Sequence, residues 1–337
     1  MRAVLLDAPR PIEESPLRIG DVEVPRPGPG QLLIQVSACG VCRSNLHMVE
    51  GDWVSHGVPA TSPIIPGHEV VGTVAALGPG VDAFTQGERV GVQPLWWTCE
   101  RCDYCLSARE ELCFRKLITG ESVDGGYAEF LLASAAHTYL VPDELSDVDA
   151  APLFCPGLTA YSAVQRASLA PGQTVAVFGL GGVGHMVVQF ARLAGADVIA
   201  VGRGRAHLDV AADLGATRTV SWDDSGAERT LQQDGGVDAS ILFAPSQDLA
   251  RMAVRATKRG GVIVLGVNAD VGELSFFDSK TIAESVIGDR QQMREVLRIA
   301  AAGKVKAVTE SYPLDQAADV LLRLKRGEIR SRAVLIP

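Results

Sequence analysis

The sequence has no excess of basic charge: 31 Lys and Arg stand against 40 Asp and Glu, a formal net charge of −9. That balance argues against a nucleic-acid partner, because phosphate contacts need a basic surface. No apolar run approaches the ~20 residues of a membrane span. At the N-terminus, MRAVLLDAPR has no apolar stretch followed by a small-residue cleavage site. No export signal is therefore expected, and the expected location is cytoplasmic. Internal repeats and low-complexity segments are also missing. What remains is 47% hydrophobic and 21% charged, the balance of a soluble globular protein with a sizeable core. The 337 residues suffice for two domains.

Six of the seven cysteines fall into two metal-ligand patterns. Cys99, Cys102, Cys105 and Cys113 read C-x2-C-x2-C-x7-C, a spacing that lets one loop wrap four thiolates around a tetrahedral zinc ion. Four thiolates fill the coordination sphere, so this ion would hold a loop together and do no chemistry. Without an export signal, disulfides are the poorer reading of these residues. Cys42, His68 and Cys155 lie far apart, in the contexts GVCRSNLH, IPGHEVVG and LFCPGLTAY. Two cysteines and one histidine around zinc leave a fourth position open, the arrangement of a catalytic site. Cys39, in ACGVC, is left over: it is compatible with half of a C-x-x-C redox pair or a further zinc thiolate, and is read in preference as a small buried residue beside that site.

Gly and Pro are frequent up to about residue 125, with short apolar runs such as LLIQV (32–36) and VVGTVAAL (70–77) between them. That texture predicts a β-rich, loop-rich domain. Past residue 150 the rhythm changes. TVAVF (174–178), DVIAV (197–201), ASILF (239–243) and GVIVLGV (261–267) read as strands, and HMVVQFARLAG (185–195), AHLDVAADLGA (206–216) and DLARMAVRAT (248–257) as helices. Alternation of this kind predicts a doubly wound parallel α/β sheet. The tail, with REVLRIAAAGKV helical and AVLI (333–336) strand-like, is expected to return to the first domain. The predicted organisation is residues 1–153 plus 290–337 as a zinc-binding catalytic domain and 154–289 as a dinucleotide-binding domain, with the substrate between them.

Gly179, Gly181 and Gly184, with Gly182 among them, form GLGGVG directly after TVAVF and open a helix. In that context the glycines serve a tight turn, close approach of backbone to a pyrophosphate, and close helix–strand packing. About 20 residues later, NAD enzymes place an acid for the ribose hydroxyls. Here the chain reads DVIAVGRGR, with Gly202 in place of the acid and Arg203 and Arg205 after it. Removing the carboxylate removes repulsion against a 2′-phosphate, which a guanidinium can bind through two hydrogen bonds. NADP is therefore expected, with NAD as the alternative.

From Cys42 to Arg332 the chain resembles the zinc-dependent alcohol dehydrogenases of the medium-chain dehydrogenase/reductase superfamily, carrying GVCRSNLHMVEGDW, GHE and LFCPGLTAY in that family's order. The resemblance implies a GroES-like catalytic domain beside the Rossmann domain and two zinc ions per chain. Cys42, His68 and Cys155 would be the catalytic ligands, with Glu69 an occasional alternate fourth. It also implies that Ser44 takes the alcohol proton and passes it through the nicotinamide ribose to His47. Arg43 and Arg332 match positions holding the pyrophosphate, and Thr159 one near the nicotinamide.

Two departures stand out. The family usually has Asp at position 45, accepting a hydrogen bond from the zinc histidine; Asn45 is expected to accept through its amide oxygen, without the charge. Pro94 stands where relatives have a pocket-lining Trp or Phe, whereas Trp53 matches a pocket aromatic; Trp96 and Trp97 would refill the space or pack under the four-cysteine lobe. The implied activity is reversible oxidation of primary or secondary alcohols to aldehydes or ketones with NADP(H). The alternatives are an NAD-preferring enzyme and a catalytically silent NADPH-binding zinc protein. The expected partners are the small-molecule substrate and further copies of the chain, as a homotetramer or dimer.

Overall fold

A computed structural model describes residues 1–337. The chain divides into two compact units, Met1–Cys155 with Asp289–Ala301 and Ala307–Pro337, and Pro156–Gly288 with Ala302–Lys306.

The first unit is built on a long strand, Gln31–Gly40, whose apolar residues are buried along most of its length. Antiparallel to it run Glu69–Leu77, Phe130–Ser134 and Arg332–Ile336. Arg89–Val92 and Thr138–Leu140 extend the sheet on one side, and Thr309–Pro313 extends it on the other, parallel to Arg332–Ile336. Leu32, Ile34, Val70, Val74, Val90, Tyr127 and Leu131 share one core with Val4, Leu6 and Ile64. Register matters for the site: Cys39 pairs with Val70 and Gly40 with Glu69, so the segment after residue 40 and the segment before residue 69 emerge side by side.

The second unit is a six-stranded, wholly parallel sheet in the spatial order Arg218–Ser221, Asp197–Gly202, Thr174–Phe178, Val237–Leu242, Thr257–Leu265, Thr281–Glu284. The chain order reverses between the third and fourth of these strands, the point at which such sheets bind dinucleotides. Central strands are apolar on both faces, as burial beneath helices requires. Val175–Phe178 and Val198–Val201 are all at most 2% exposed. The helices Gly184–Leu193, Arg205–Asp213 and Gln247–Ala256 begin within two residues of the positions read from periodicity.

The unit boundaries differ from those read in the sequence. Cys155 belongs with the first unit, and the expected run 290–337 is broken at Ala302–Lys306, which packs with the second. Gln189 explains the break: its Nε2 donates to the Lys306 carbonyl at 2.9 Å and its Oε1 accepts from the Lys306 N–H at 3.0 Å. No helix is long and apolar enough to cross a membrane.

Candidate metal centres and cofactor site

Cys42 ends the loop after Gln31–Gly40 and caps the N-terminus of the helix Arg43–Glu50. His68 stands immediately before the strand Glu69–Leu77. Cys155 follows a short 3₁₀ turn, Ala151–Phe154, whose residues are all buried. The tip of the Phe154 ring packs against Gly91, where a Cβ would come within 2.0 Å of it, so only glycine at that point of the strand leaves room for the residue before Cys155. The result is that Cys42, His68, Glu69 and Cys155 bring one ligand atom each to within 4.8 Å of one another.

The Cys42 and Cys155 sulfurs are 3.8 Å apart. Two thiolates each about 2.3 Å from one tetrahedral zinc ion would lie at about that separation, so the donor set fits zinc in size and chemistry. Its electrostatics fit as well. A hydrogen bond from the Cys155 thiol holds Cys42 well below the ordinary thiol range, against the opposing effect of burial, while Cys155 is driven well above it by the same bond. Burial lowers His68, but the Cys42 thiolate outweighs it and carries the imidazole up to about 9. A cation would displace these shared protons and take their place.

Glu69 is wholly buried, and burial pushes its carboxyl up to about 7 against the pull of Arg332. Both Glu69 oxygens accept from Nη2 of Arg332 at 2.5 Å. Arg332 is 4% exposed and reaches Glu69 through Nη2 alone, while its Nε has no hydrogen-bond partner. Cys39 is buried, donates its thiol to the Gly40 carbonyl and lies outside the ligand cluster; burial pushes that thiol far up.

Ser44 and His47 sit three residues apart on one helix face. Ser44 Oγ is 3.4 Å from Nε2 of His68. His47 Nδ1 meets Asp52 Oδ2 at 2.6 Å, and its ring lies 5.4 Å from that of Trp53. Pro94 is buried and its carbonyl accepts from the Thr119 N–H. Trp96 is anchored by its indole N–H to the Leu132 carbonyl at 2.9 Å, whereas Trp97 is 40% exposed.

Asn45 corrects an expectation. Its Oδ1 accepts from the Cys42 N–H at 3.2 Å and from the Tyr127 hydroxyl at 3.1 Å. The amide nitrogen, not the oxygen, faces Nδ1 of His68 at 3.5 Å. A residue overlooked in the sequence lies nearby: Glu121, whose Oε1 is 4.0 Å from the same nitrogen. Burial pushes its carboxyl up to about 7 against the pull of His68.

The second cluster is the four-cysteine lobe. The turn Asp103–Leu106 is capped by Cys102, and the turn Glu110–Leu112 delivers Cys113. Cys105 lies 3.5 Å from Cys102 and 3.9 Å from Cys99, again the spacing of thiolates about one tetrahedral ion. Backbone N–H groups, foremost that of Arg101, lower Cys99 to about 6, while burial raises Cys105 to about 12. Arg290, at the start of the helix Arg290–Ala301, bonds Glu110 at 2.9 Å and Glu100 at 3.1 Å and ties the lobe to the returning tail.

In the second unit, Gly184 is essential to the turn: a Cβ there would come within 1.8 Å of the Gly179 carbonyl oxygen. Gly181 is the opposite case, since a Cβ would meet nothing within 4 Å, and the space beside it is open to a ligand. Gly182 lies between them, half-buried. Gly202 ends its strand, and a Cβ there would meet the Leu180 side chain at 2.7 Å. Arg203 lies over the Trp222 ring at 5.6 Å, and Arg205 pairs with Asp209 at 2.9 Å while remaining exposed. Arg43 is exposed at the start of its helix, and Thr159 is buried on the helix Pro156–Ala167.

Residues 28–143 match the alcohol dehydrogenase GroES-like domain family and residues 182–302 the zinc-binding dehydrogenase family. An alcohol dehydrogenase of Geobacillus stearothermophilus is 40% identical over 328 residues, 96% of each chain. The chain belongs to the zinc-dependent alcohol dehydrogenases of the medium-chain dehydrogenase/reductase superfamily. Solved members of this fold occur with either nicotinamide cofactor. A zinc-binding dehydrogenase from Sinorhizobium meliloti, bound to NADP, has a TM-score of 0.88 at 28% identity, covering 100% of this chain and 99% of that one. Acetophenone reductase from Geotrichum candidum, in complex with NAD, has a TM-score of 0.87 at 27% identity, covering 100% and 97%. Kinship to this dehydrogenase family therefore leaves the cofactor to be argued from the chain's own residues.

Proposed function

We propose that this alcohol dehydrogenase interconverts primary or secondary alcohols with aldehydes or ketones, using NADP(H) in preference to NAD(H), with catalytic zinc held by Cys42, His68 and Cys155. The first unit would then be the catalytic domain and the second the dinucleotide-binding domain. The observation that carries the metal assignment is the convergence of two cysteines and a histidine at the 3.8 Å sulfur spacing. A zinc ion there supplies Lewis acidity that makes the alcohol hydroxyl easier to deprotonate. The four-cysteine lobe would hold a second, structural zinc.

Ser44, whose Oγ lies 3.4 Å from His68 Nε2, would take up the alcohol proton in this reading, and His47 would carry a relayed proton towards solvent. A carboxylate can only accept a hydrogen bond, and Asp52 Oδ2 stands 2.6 Å from Nδ1 of His47. It therefore holds the His47 proton on Nδ1 and leaves Nε2 to take up the relayed one. A nicotinamide cofactor held by the Gly179–Gly184 turn would supply the two-electron hydride acceptor for the alcohol's carbinol carbon.

Three features support NADP. Gly202 places no carboxylate where an adenosine ribose would bind, and the Leu180 side chain fills the space a Cβ would need. Arg203 is exposed, with its guanidinium carbon 5.6 Å over the Trp222 ring, and a guanidinium can pair with a phosphate through two hydrogen bonds. Exposed Arg205 adds a second positive charge. The test is kcat/KM for NADPH and NADH side by side on zinc-replete protein. A preference for NADPH of tenfold or more, worth about 1.4 kcal/mol, is expected; a preference for NADH would overturn the cofactor assignment and leave the dehydrogenase intact.

Phe276 and Phe277, 83% and 74% exposed before the edge strand Thr281–Glu284, support assembly into a homo-oligomer along that edge. Light scattering would return a multiple of the 35.6 kDa chain mass; a monomer would contradict this.

A further inference from the structure

A histidine that binds a metal through one ring nitrogen carries its proton on the other, and a partner for that proton fixes the ring. Around His68, Nδ1 is walled in by Asn45 and Glu121, which leaves Nε2 as the metal-binding atom. The Nδ1 proton then needs an acceptor. Asn45 cannot be that acceptor. A backbone N–H only donates, so the Cys42 N–H fixes Oδ1 of Asn45 towards itself and turns the amide nitrogen, itself a donor, towards His68.

Two buried carboxylates stand near His68, those of Glu69 and Glu121. Glu69 is engaged through both oxygens by Arg332. Glu121 forms no ion pair with an arginine or lysine, although Lys116 acts on it at longer range; it is 9% exposed and stands 4.0 Å from Nδ1. A side-chain adjustment of about 1 Å brings it to hydrogen-bond distance.

The loop holding Glu121 is built against the histidine's own segment. Gly125 N–H donates to the Ile65 carbonyl, Gly126 N–H to that of Gly67, and Ile65 N–H to Asp124 Oδ1, all at 2.7–2.9 Å. Gly120 packs so closely on Gly67, the residue before His68, that a Cβ at 120 would come within 2.7 Å of the Gly67 nitrogen. On the other side, Ala60 N–H binds the Glu121 carbonyl at 2.9 Å.

We propose that Glu121 is the positioning residue of the zinc-binding histidine: its carboxylate accepts the Nδ1 proton of His68 and supplies the negative charge that Asn45 lacks. The proposal rests on reading Cys42, His68 and Cys155 as a zinc site.

Metal retention tests it without turnover. Zinc release from the holoenzyme to excess chromogenic chelator is followed with the four-cysteine zinc as internal reference, and cobalt substitution reports the ligand field at the catalytic position. Wild-type protein holding one metal equivalent instead of two would contradict the underlying site, and the proposal with it. Given two, Glu121→Gln is expected to release the catalytic zinc about 10–100-fold faster and to shift the cobalt spectrum, with the other zinc unaffected. Adding Asn45→Asp to that variant restores slow release. Equal release from Glu121→Gln and wild type would overturn the proposal. Asn45→Asp alone decides the matter should Glu121→Gln not fold. A second carboxylate beside one already acting changes release little, whereas slowing of about tenfold or more would show that His68 had lacked one.

Discussion

Arg332 donates to both carboxylate oxygens of Glu69 through a single nitrogen, 263 residues away in sequence, in a setting where the two side chains are 4% and 0% exposed. Removing one partner of such a pair leaves an uncompensated buried charge, at a cost of about 3–5 kcal/mol. Arg332→Met is therefore expected to destabilise the first unit by that amount in denaturant unfolding. A loss below about 1 kcal/mol would mean that Glu69 finds another partner.

Gly202 is the point at which cofactor preference is set in this account. Gly202→Asp, combined with Leu180→Ala to clear the 2.7 Å contact, is expected to shift the NADPH/NADH ratio of kcat/KM at least tenfold towards NADH, about 1.4 kcal/mol. An unchanged ratio would show that selection lies elsewhere.

The relay residues separate by pH. General acid–base groups contribute about 10²–10⁴-fold, so Ser44→Ala should lower kcat/KM for alcohol oxidation by at least about 100-fold near neutrality, with part of the loss recovered in alkaline buffer. A change of under about threefold would remove Ser44 from the mechanism.

Glu110 links the four-cysteine lobe to the returning helix through Arg290. Burial raises its carboxyl, but the hydrogen bonds from Arg290 outweigh this and hold it below the ordinary range. A depressed carboxyl contributes stability that is fully present above its unfolded value, about 4.3, and is lost as pH falls through the folded one. Arg290→Met should cost about 1.5–3 kcal/mol at pH 7, and the two stability curves should converge towards pH 3. Zinc loss at low pH affects both proteins alike, so parallel curves would exclude the pair as the source.

How much of this was legible follows from which contacts are local. The parallel sheet was readable because its strands and helices carry their own periodicity, and TVAVF falls on the observed strand Thr174–Phe178. The four-cysteine lobe was readable because its four thiols share one loop. The roles of Asn45 and Glu121 were not. Asn45 was expected to offer its oxygen to His68, but the Cys42 N–H at the helix cap takes that oxygen first. Glu121, in TGESVDGG, reads as a turn residue, since only the packing of Gly120 and Gly125 on Gly67 brings it to the histidine. The Gln189–Lys306 bonds that draw residues 302–306 into the second unit are long-range in the same way.

The most direct test of the account is the zinc content and alcohol oxidation of wild type beside Cys155→Ser. The account predicts two zinc ions in wild type. In the variant it predicts one, held by the four-cysteine lobe, with turnover lost by about 10³-fold or more while the fold is kept. Two retained zinc ions with turnover within about tenfold of wild type would contradict the assignment of Cys42, His68 and Cys155 as the catalytic metal site.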